Sequence, residues 1–390
     1  MPDASETKRP LRVLTLVDRL GTSGGGERLA MEIVRRLDRD RFERFYCVSR
    51  WDEAAARDDQ ETQTVAQLRE AGVHVLGLGR RRSSEIWRWR PLVRLLREEQ
   101  IDVLHSHKFG SNVWAAAIAP LARVPVFVAH EHSWSYEGQP LRKLLDRRLI
   151  ARASDAFLTV SDADRRRMIE IEHIPAESIS VVPNGIDPIP PGDGARLRSE
   201  LGLGDDDPIV GAVAILRREK GLDLLVRATA ALKDRVPRLR AVVAGDGPER
   251  ALLEALATKL GVAERFKILG LRSDIPDVLA ALDVAVNCSV FEGTPLAILE
   301  YMDAALPIVA TGVGGVPDIL EDGRDGVLVD SGDAQGLGDA VADLLGDRER
   351  ARALGERARA RRREHYDLTS TVRRIERLYE ELVTATRGRP

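Results

Sequence analysis

Short uninterrupted apolar runs alternate with amphipathic stretches along nearly the whole chain. In the first half the runs are Leu11–Val17, Phe45–Ser49, Val73–Leu78, Asp102–Ser106, Val124–His130 and Asp155–Ser161. Continuous apolar stretches of about four to eight residues, rather than strict alternation, mark strands covered on both faces. Between them lie segments such as GERLAMEIVRRL, whose apolar residues recur at helical spacing. Strand–helix–strand alternation predicts a parallel sheet with helices on both sides.

The rhythm then stops and restarts. NGIDPIPPGDGARLRSELGLGDDDP is dense in Pro, Gly and Asp and holds no long apolar run, so it reads as a linker with at most one short helix. After it PIVGAVAIL, LRAVVAG, RFKILG, LDVAVNC, LPIVAT and DGVLV repeat the pattern. The expected fold class is α/β, two tandem Rossmann-like domains. Residues 1–187 form the first, 188–207 a linker and 208–365 the second. A final amphipathic helix within 366–390 is expected to pack back on the first domain. In open parallel sheets ligands sit beyond the carboxyl ends of the strands, so the loops of both domains are expected to line a cleft.

The 390 residues agree with two or three domains at roughly 150 residues each. A composition 44% hydrophobic and 31% charged excludes disorder and collagen-like repeats for the bulk of the chain. Cys47 and Cys288 are far apart and form no CxxC, which suits a reducing compartment. No apolar run reaches the ~18 residues of a membrane span, and MPDASETKRP lacks the apolar core of a secretory signal. A soluble, cytoplasmic protein is therefore expected. The net charge of −3 offers no whole-domain basic field for nucleic acid. One window departs from this balance: residues 80–97 carry seven arginines against Glu85, with Trp87 and Trp89 among them. It suits a peripheral contact with the anionic inner face of a membrane, or a phosphorylated acceptor. The simpler reading is a solvated helix face whose tryptophans pack inward.

Five places could carry chemistry. In GTSGGGER, after the first strand, Gly24, Gly25 and Gly26 allow close backbone approach to an anion at a helix N-terminus, or merely a tight turn with positive φ. In FEGTPLAILE, Thr294 suits an N-cap and Pro295 the first helical position, which frees the Leu296 and Ala297 amides for a diphosphate. Glu292 and Glu300 then flank that anion site, where carboxylates could accept paired hydrogen bonds from vicinal diols. Alternatively, Glu300 and Asp303 mark an ordinary solvent face. In LRREKG, Arg217 and Lys220 could clamp phosphates or form an unoccupied basic loop. His105 with His107, and His130 with His132, end adjacent strands and place four imidazoles at the expected cleft edge. No cysteine or HExxH helix accompanies them, which argues against zinc. Asp162 and Asp164 have DxD spacing, but Ser161 ahead of them makes helix capping the better account.

Taken in order, these landmarks resemble the GT-B glycosyltransferases of the retaining family 4 (group 1) type, from about Leu11 to Val383. The E-x7-E element Glu292–Glu300 followed by VGGVPDIL and DGRDGVLV carries the resemblance, with GGGER, VVPNGID, AGDGPER and LGLRSDIPDVLAALDV around it. The resemblance implies transfer of a sugar from a nucleoside diphosphate sugar, with retained configuration, to a lipid-linked or glycan acceptor in cell-surface glycan biosynthesis. It implies that Glu292 reads donor hydroxyls and Glu300 the ribose. Leu296, Ala297, Lys220 and Gly25 would hold the diphosphate, with Gly26, Arg217, Gly293 and Thr294 beside them. Arg272 and Ile275 would border the base through their backbone. His130 would contact the sugar or assist the leaving group, while Glu27, His107 and His132 would meet the acceptor. No metal or other cofactor is expected, because the helix dipole and basic side chains neutralise the departing diphosphate. Where the family often has an arginine in a GRL-type triplet, this chain has Ile215, so either Arg217 supplies that charge or the diphosphate is held more weakly. Two alternatives share these features: a nucleotide-sugar-binding relative without turnover, and a GT-B-like nucleotide-sugar epimerase.

Overall fold

Each apolar run becomes a parallel strand. The computed structural model describes residues 9–20, 25–53, 59–82, 84–133 and 139–388. The chain divides into two units, Met1–Pro183 with Thr369–Pro390, and Asn184–Leu368. The first contains β1 (Leu11–Val17), β2 (Phe42–Val48), β3 (His74–Gly77), β4 (Val103–His107), β5 (Val126–Glu131), β6 (Ala156–Thr159) and β7 (Ile179–Val181), in the order 3-2-1-4-5-6-7. The second contains β8 (Ile209–Val213), β9 (Arg240–Ala244), β10 (Phe266–Gly270), β11 (Val284–Asn287), β12 (Ile308–Thr311) and β13 (Val327–Val329), in the order 10-9-8-11-12-13. In each sheet the strand order reverses direction beside the first strand, at β1/β4 and at β8/β11. Doubly wound sheets bind ligands beyond the carboxyl ends of such neighbours.

The helices of the first unit are α1 (Gly25–Arg36), α2 (Asp59–Glu70), α3 (Arg90–Glu98), α4 (Lys108–Ala122), α5 (Pro140–Leu145), α6 (Ala151–Ala153) and α7 (Asp162–Glu170). The second has α8 (Gly194–Glu200), α9 (Leu222–Ala231), α10 (Arg250–Lys259), α11 (Ile275–Ala281), α12 (Leu296–Asp303), α13 (Val316–Ile319), α14 (Ala334–Gly346) and α15 (Arg348–His365). The last helix, α16 (Leu368–Arg387), packs on the first unit. Its Ile375 and Tyr379 are fully buried, Tyr379 edge-on to Phe42. In the second unit helices cover both faces of the sheet. Val243, Val286 and Leu225 pack on one side, Val242, Ala285 and Leu299 on the other, so consecutive strand residues are all buried.

Three expectations at the level of elements need correction. β2 begins at Phe42 rather than Phe45, because buried Arg44 donates to the carbonyls of Arg35 (2.9 Å) and Ala71 (2.6 Å) and so does not interrupt the strand. β7 is too short and serine-bearing to register as an apolar run, yet Ile179 pairs with Phe157 at the sheet edge. The 188–207 stretch is not a free linker. Leu197 is fully buried, and a Cβ on Gly192 or Gly194 would lie 2.0 or 2.4 Å from the carbonyl oxygens of Pro276 and Ala280. Glycine there permits close packing against α11. The tryptophans of the basic window divide between the two readings: Trp89 is buried against Trp114, whereas Trp87 is 55% exposed. No described helix is long and apolar enough to cross a membrane.

Candidate active site

Three loops meet beyond the carboxyl ends of β8, β11 and β12. The chain leaves β11 as Cys288-Ser289-Val290-Phe291-Glu292 and is held on both sides. On one side Gly221 has φ +54°, and a Cβ there would lie 2.2 Å from the Cys288 carbonyl oxygen. On the other, Gly315 donates its N–H to the Glu292 carbonyl (3.0 Å). Gly314 beside it has φ +56°, and a Cβ there would lie 1.8 Å from the same oxygen. Glycine is required at both positions for conformation and for space.

This frame fixes the Glu292 carboxylate. Its Oε1 accepts from Lys220 Nζ (2.5 Å) and from Ser289 Oγ (2.6 Å), and the residue is 8% exposed. Thr311 Oγ1 in turn donates to the Ser289 carbonyl (2.5 Å). Lys220 arrives from the loop after β8, so the LRREKG reading and the E-x7-E reading converge on one ion pair. The α12 helix follows directly, with a correction to its start. Thr294 is not the N-cap; Pro295 is, with ψ 120° outside the helical range, and it has no side-chain cap. The first two helical amides are those of Leu296 and Ala297. Both residues are only partly buried, and the Thr294 carbonyl is held by Asn184 Nδ2 (2.7 Å).

Glu300 lies in the second turn of α12 and is 7% exposed. Asp303 accepts the Ile189 N–H (2.6 Å) and pairs with buried Arg362 (3.4 Å). The alternative of an ordinary solvent face is therefore set aside. Both carboxylates act on Tyr301. Burial, chiefly, pushes that phenol above its usual range, the Val213 N–H donated to its oxygen (2.7 Å) opposes the shift, and Glu300 and Glu292 push it further up. Arg217 is exposed, whereas Ile215 is half-buried. Arg272 is saturated by Glu200 (2.8 and 3.0 Å) and Asp274 (2.8 and 2.7 Å), so its side chain braces the loop ahead of Ile275 and carries no free charge. Gly293 is buried between Glu292 and Thr294.

In the first unit the four histidines share one face of neighbouring strands, with His107 opposite His130 in register. Their rings stack: His105 and His130 are 5.3 Å apart and 3° from parallel, and His130 and His132 are 4.4 Å apart. His107 Nδ1 and His132 Nε2 share a hydrogen bond (2.9 Å), as do His105 Nδ1 and the Tyr379 hydroxyl (2.6 Å). All four rings are buried. His105, His107 and His130 have at most 1% of their surface exposed and His132 has 9%. Burial first, and neighbouring imidazoles second, hold His105, His107 and His132 well below the ordinary histidine range; burial alone lowers His130 to about 3. Neither ring nitrogen of His130 has a partner among the described residues. His107 and His132, the pair expected to meet an acceptor, are joined by that hydrogen bond.

Glycine 24 lies outside the described residues. Gly25 and Gly26 open α1, and what Gly26 provides is space: a Cβ would lie 2.8 Å from His132 Cγ and 2.9 Å from Lys108 Cε. Glu27 is buried and ion-paired with Lys108. Ser161 Oγ accepts the Asp164 N–H (3.1 Å), so the DAD triplet is a helix cap. His105, His107 and His130 bring ring nitrogens within 4.8 Å of one another. Lys108 adds positive charge beside His107 and His132. Sequence reasoning missed Ser289, Lys108, Asn184 and Tyr379. Only Ser289 carried a local signal, as a small hydroxyl three residues before Glu292.

Comparison with known proteins places the chain in a class of transferase. The chain matches Glycosyltransferase Family 4 over residues 23–189 and Glycosyl transferases group 1 over residues 194–361. It is 33% identical over 280 residues to the GDP-mannose-dependent alpha-(1-6)-phosphatidylinositol monomannoside mannosyltransferase of Mycolicibacterium smegmatis, covering 67% of this chain and 72% of that protein. It is 32% identical over 324 residues to the alpha-D-kanosaminyltransferase of Streptomyces kanamyceticus, covering 77% of this chain and 82% of that one. The structure of Anabaena Alr3699/HepE in complex with UDP and glucose superposes with a TM-score of 0.82 at 24% identity, over 95% of this chain and all of the other. The chain belongs to the group 1, family 4 glycosyltransferases and has the GT-B fold.

Proposed function

We propose that the protein transfers a sugar from a nucleoside diphosphate sugar, with retained anomeric configuration, to a lipid-linked or glycan acceptor in cell-surface glycan biosynthesis. The observation that carries this reading is the Lys220–Glu292–Ser289 constellation beside the partly exposed start of α12. Helix-start amides at Leu296 and Ala297 suit the diphosphate. Lys220 then exchanges its Glu292 partner for a phosphate oxygen, and the released Glu292 accepts from sugar hydroxyls. Glu300 receives the ribose, and the backbone at Arg272 and Ile275 borders the base. His130, with neither ring nitrogen partnered among the described residues, is the proposed polar contact from the first unit.

In the proposed step the bond from the anomeric carbon to the phosphate oxygen breaks, and the acceptor oxygen bonds to the same face. The acceptor's proton passes to the departing phosphate oxygen, so no protein nucleophile is required. Lys220 and the helix dipole stabilise the charge on the leaving group, which is the reason for proposing neither metal nor cofactor. The protein is proposed to work in the cytoplasm, with the Arg80–Arg97 window against the inner face of the membrane.

A thermal-shift panel of nucleoside diphosphates and their sugars identifies the donor, since a ligand specific to the native state raises the melting point. With that donor, Glu292→Gln and Lys220→Ala are each expected to lower kcat by roughly 10²–10³ with the fold retained. Wild-type release of nucleoside diphosphate by Glu292→Gln under saturating donor would overturn the assignment.

A further inference from the structure

The basic window is one edge of a larger surface. α4 packs against α3 on one side and against the helical turn Asp146–Ile150 on the other, so α3, α4 and the 140–153 segment form one helical layer of the first unit. Residues 80–99, 108–123 and 139–153 contain fourteen Lys and Arg against four Asp and Glu, in a chain whose net charge is −3. Those acids do little to offset the charge: Asp146 is buried, Glu85 accepts the N–H groups of Arg81 and Arg82 (2.6 and 3.0 Å), Glu98 pairs with Arg94 (2.7 Å), and Glu99 lies 3.9 Å from Arg12. Of nine exposed large apolar residues among those described, five are in this layer: Ile86, Trp87, Leu121, Leu141 and Leu144, each 53–67% exposed. Between α3 and α4 runs a groove of about 590 Å³ floored by Trp89, Val93, Trp114 and Ile118, with Arg90, Arg94 and Arg97 at its rim.

We infer that this whole layer is a docking surface for an anionic phospholipid bilayer. Exposed aromatic and aliphatic tips surrounded by arginine and lysine match a membrane interface, where apolar groups enter the acyl boundary and cations meet lipid phosphates. A soluble partner protein explains the charge less well, because a protein surface seldom offers so uniform an anionic field. The inference rests on the proposed membrane-side acceptor only for its biological use. Its test contains no donor and reads no turnover, so it fails or succeeds independently of glycosyl transfer.

The test is flotation of the full chain with vesicles of phosphatidylcholine alone or mixed with phosphatidylglycerol. Flotation is expected only with the mixed vesicles, and high salt should abolish it. Each basic residue near an anionic surface is worth about fivefold in binding, so Arg90→Ala/Arg94→Ala together should weaken it roughly thirtyfold. Trp87→Ser/Leu144→Ser should weaken it about tenfold or more, whereas Leu252→Ser, equally exposed but in the second unit, should leave it unchanged. All these side chains are exposed, so melting curves should match the wild type. No flotation with phosphatidylglycerol at low salt would overturn the inference, as would equal flotation with phosphatidylcholine alone. Unaltered binding by the arginine variant would do the same. So would retention on heparin as strong as on vesicles and indifferent to Trp87→Ser/Leu144→Ser, because that is the behaviour of a site for soluble polyanions.

Discussion

Glu292 shows how few contacts are needed to aim a carboxylate: one ammonium, one hydroxyl, and a backbone gripped by two glycine turns. The imidazole stack poses the opposite problem, four ionisable rings that the fold can hold only while neutral. Their folded pKa values lie below the ordinary 6.5, so the unfolded chain takes up protons first as pH falls. The stability tied to their neutral state is complete above pH ~6.5 and is lost progressively as the pH falls below it, for His130 down to about 3, at up to roughly 1.4 kcal/mol per ring per unit. Asp146 works the other way. Burial first, then Glu131 and Glu172, raise its carboxyl to about 9, so over the same interval acid favours the fold through that one group. Urea unfolding between pH 7 and 5 should therefore show a steep net loss, several kcal/mol against a usual total of 5–15. A flat profile there would mean that the rings titrate freely in the folded protein.

At the scale of elements, the strands were legible because both faces of each sheet are covered, which forces continuous apolar runs. What stayed hidden was decided by contacts far along the chain. The 188–207 stretch looks like a linker because its glycines carry no pattern, yet Gly192 and Gly194 are small in order to fit against α11. The pair of carboxylates in FEGTPLAILE was legible, whereas the hydroxyl and the lysine that hold the first of them required the fold. Burial of the four histidines was likewise invisible, since a strand end reads the same whether a helix covers it or not. Gly314→Ala tests the turn that grips Glu292. With φ +56° and its new Cβ 1.8 Å from the Glu292 carbonyl oxygen, it should cost more than the ~1–2 kcal/mol of the backbone conformation alone and weaken donor binding as well. Unchanged melting and unchanged binding together would show the turn to be free to relax.

For the molecule as a whole, the C-terminal helix matters most. α16 supplies buried Val372, Ile375, Tyr379 and Val383 to the first unit, and is tied there by Arg387 to Asp102 (3.1 Å) and by Glu376 to Arg41 (3.2 Å) and the Asp38 N–H (2.8 Å). Tyr379→Ala should cost about 3–5 kcal/mol through loss of a large buried ring. Tyr379→Phe keeps the ring and removes only the partner of His105, for about 1–2 kcal/mol. Denaturant midpoints separate the two, and equal values would mean that packing of the ring contributes nothing beyond its hydroxyl.

Because the helix from Thr369 onward completes a body whose strands all precede it in the chain, assembly on the ribosome runs against the order of synthesis. The continuous second unit has its whole sequence available while the first still waits for its closing helix. A chain that stops before Thr369 would thus leave its first-made unit the unfinished one.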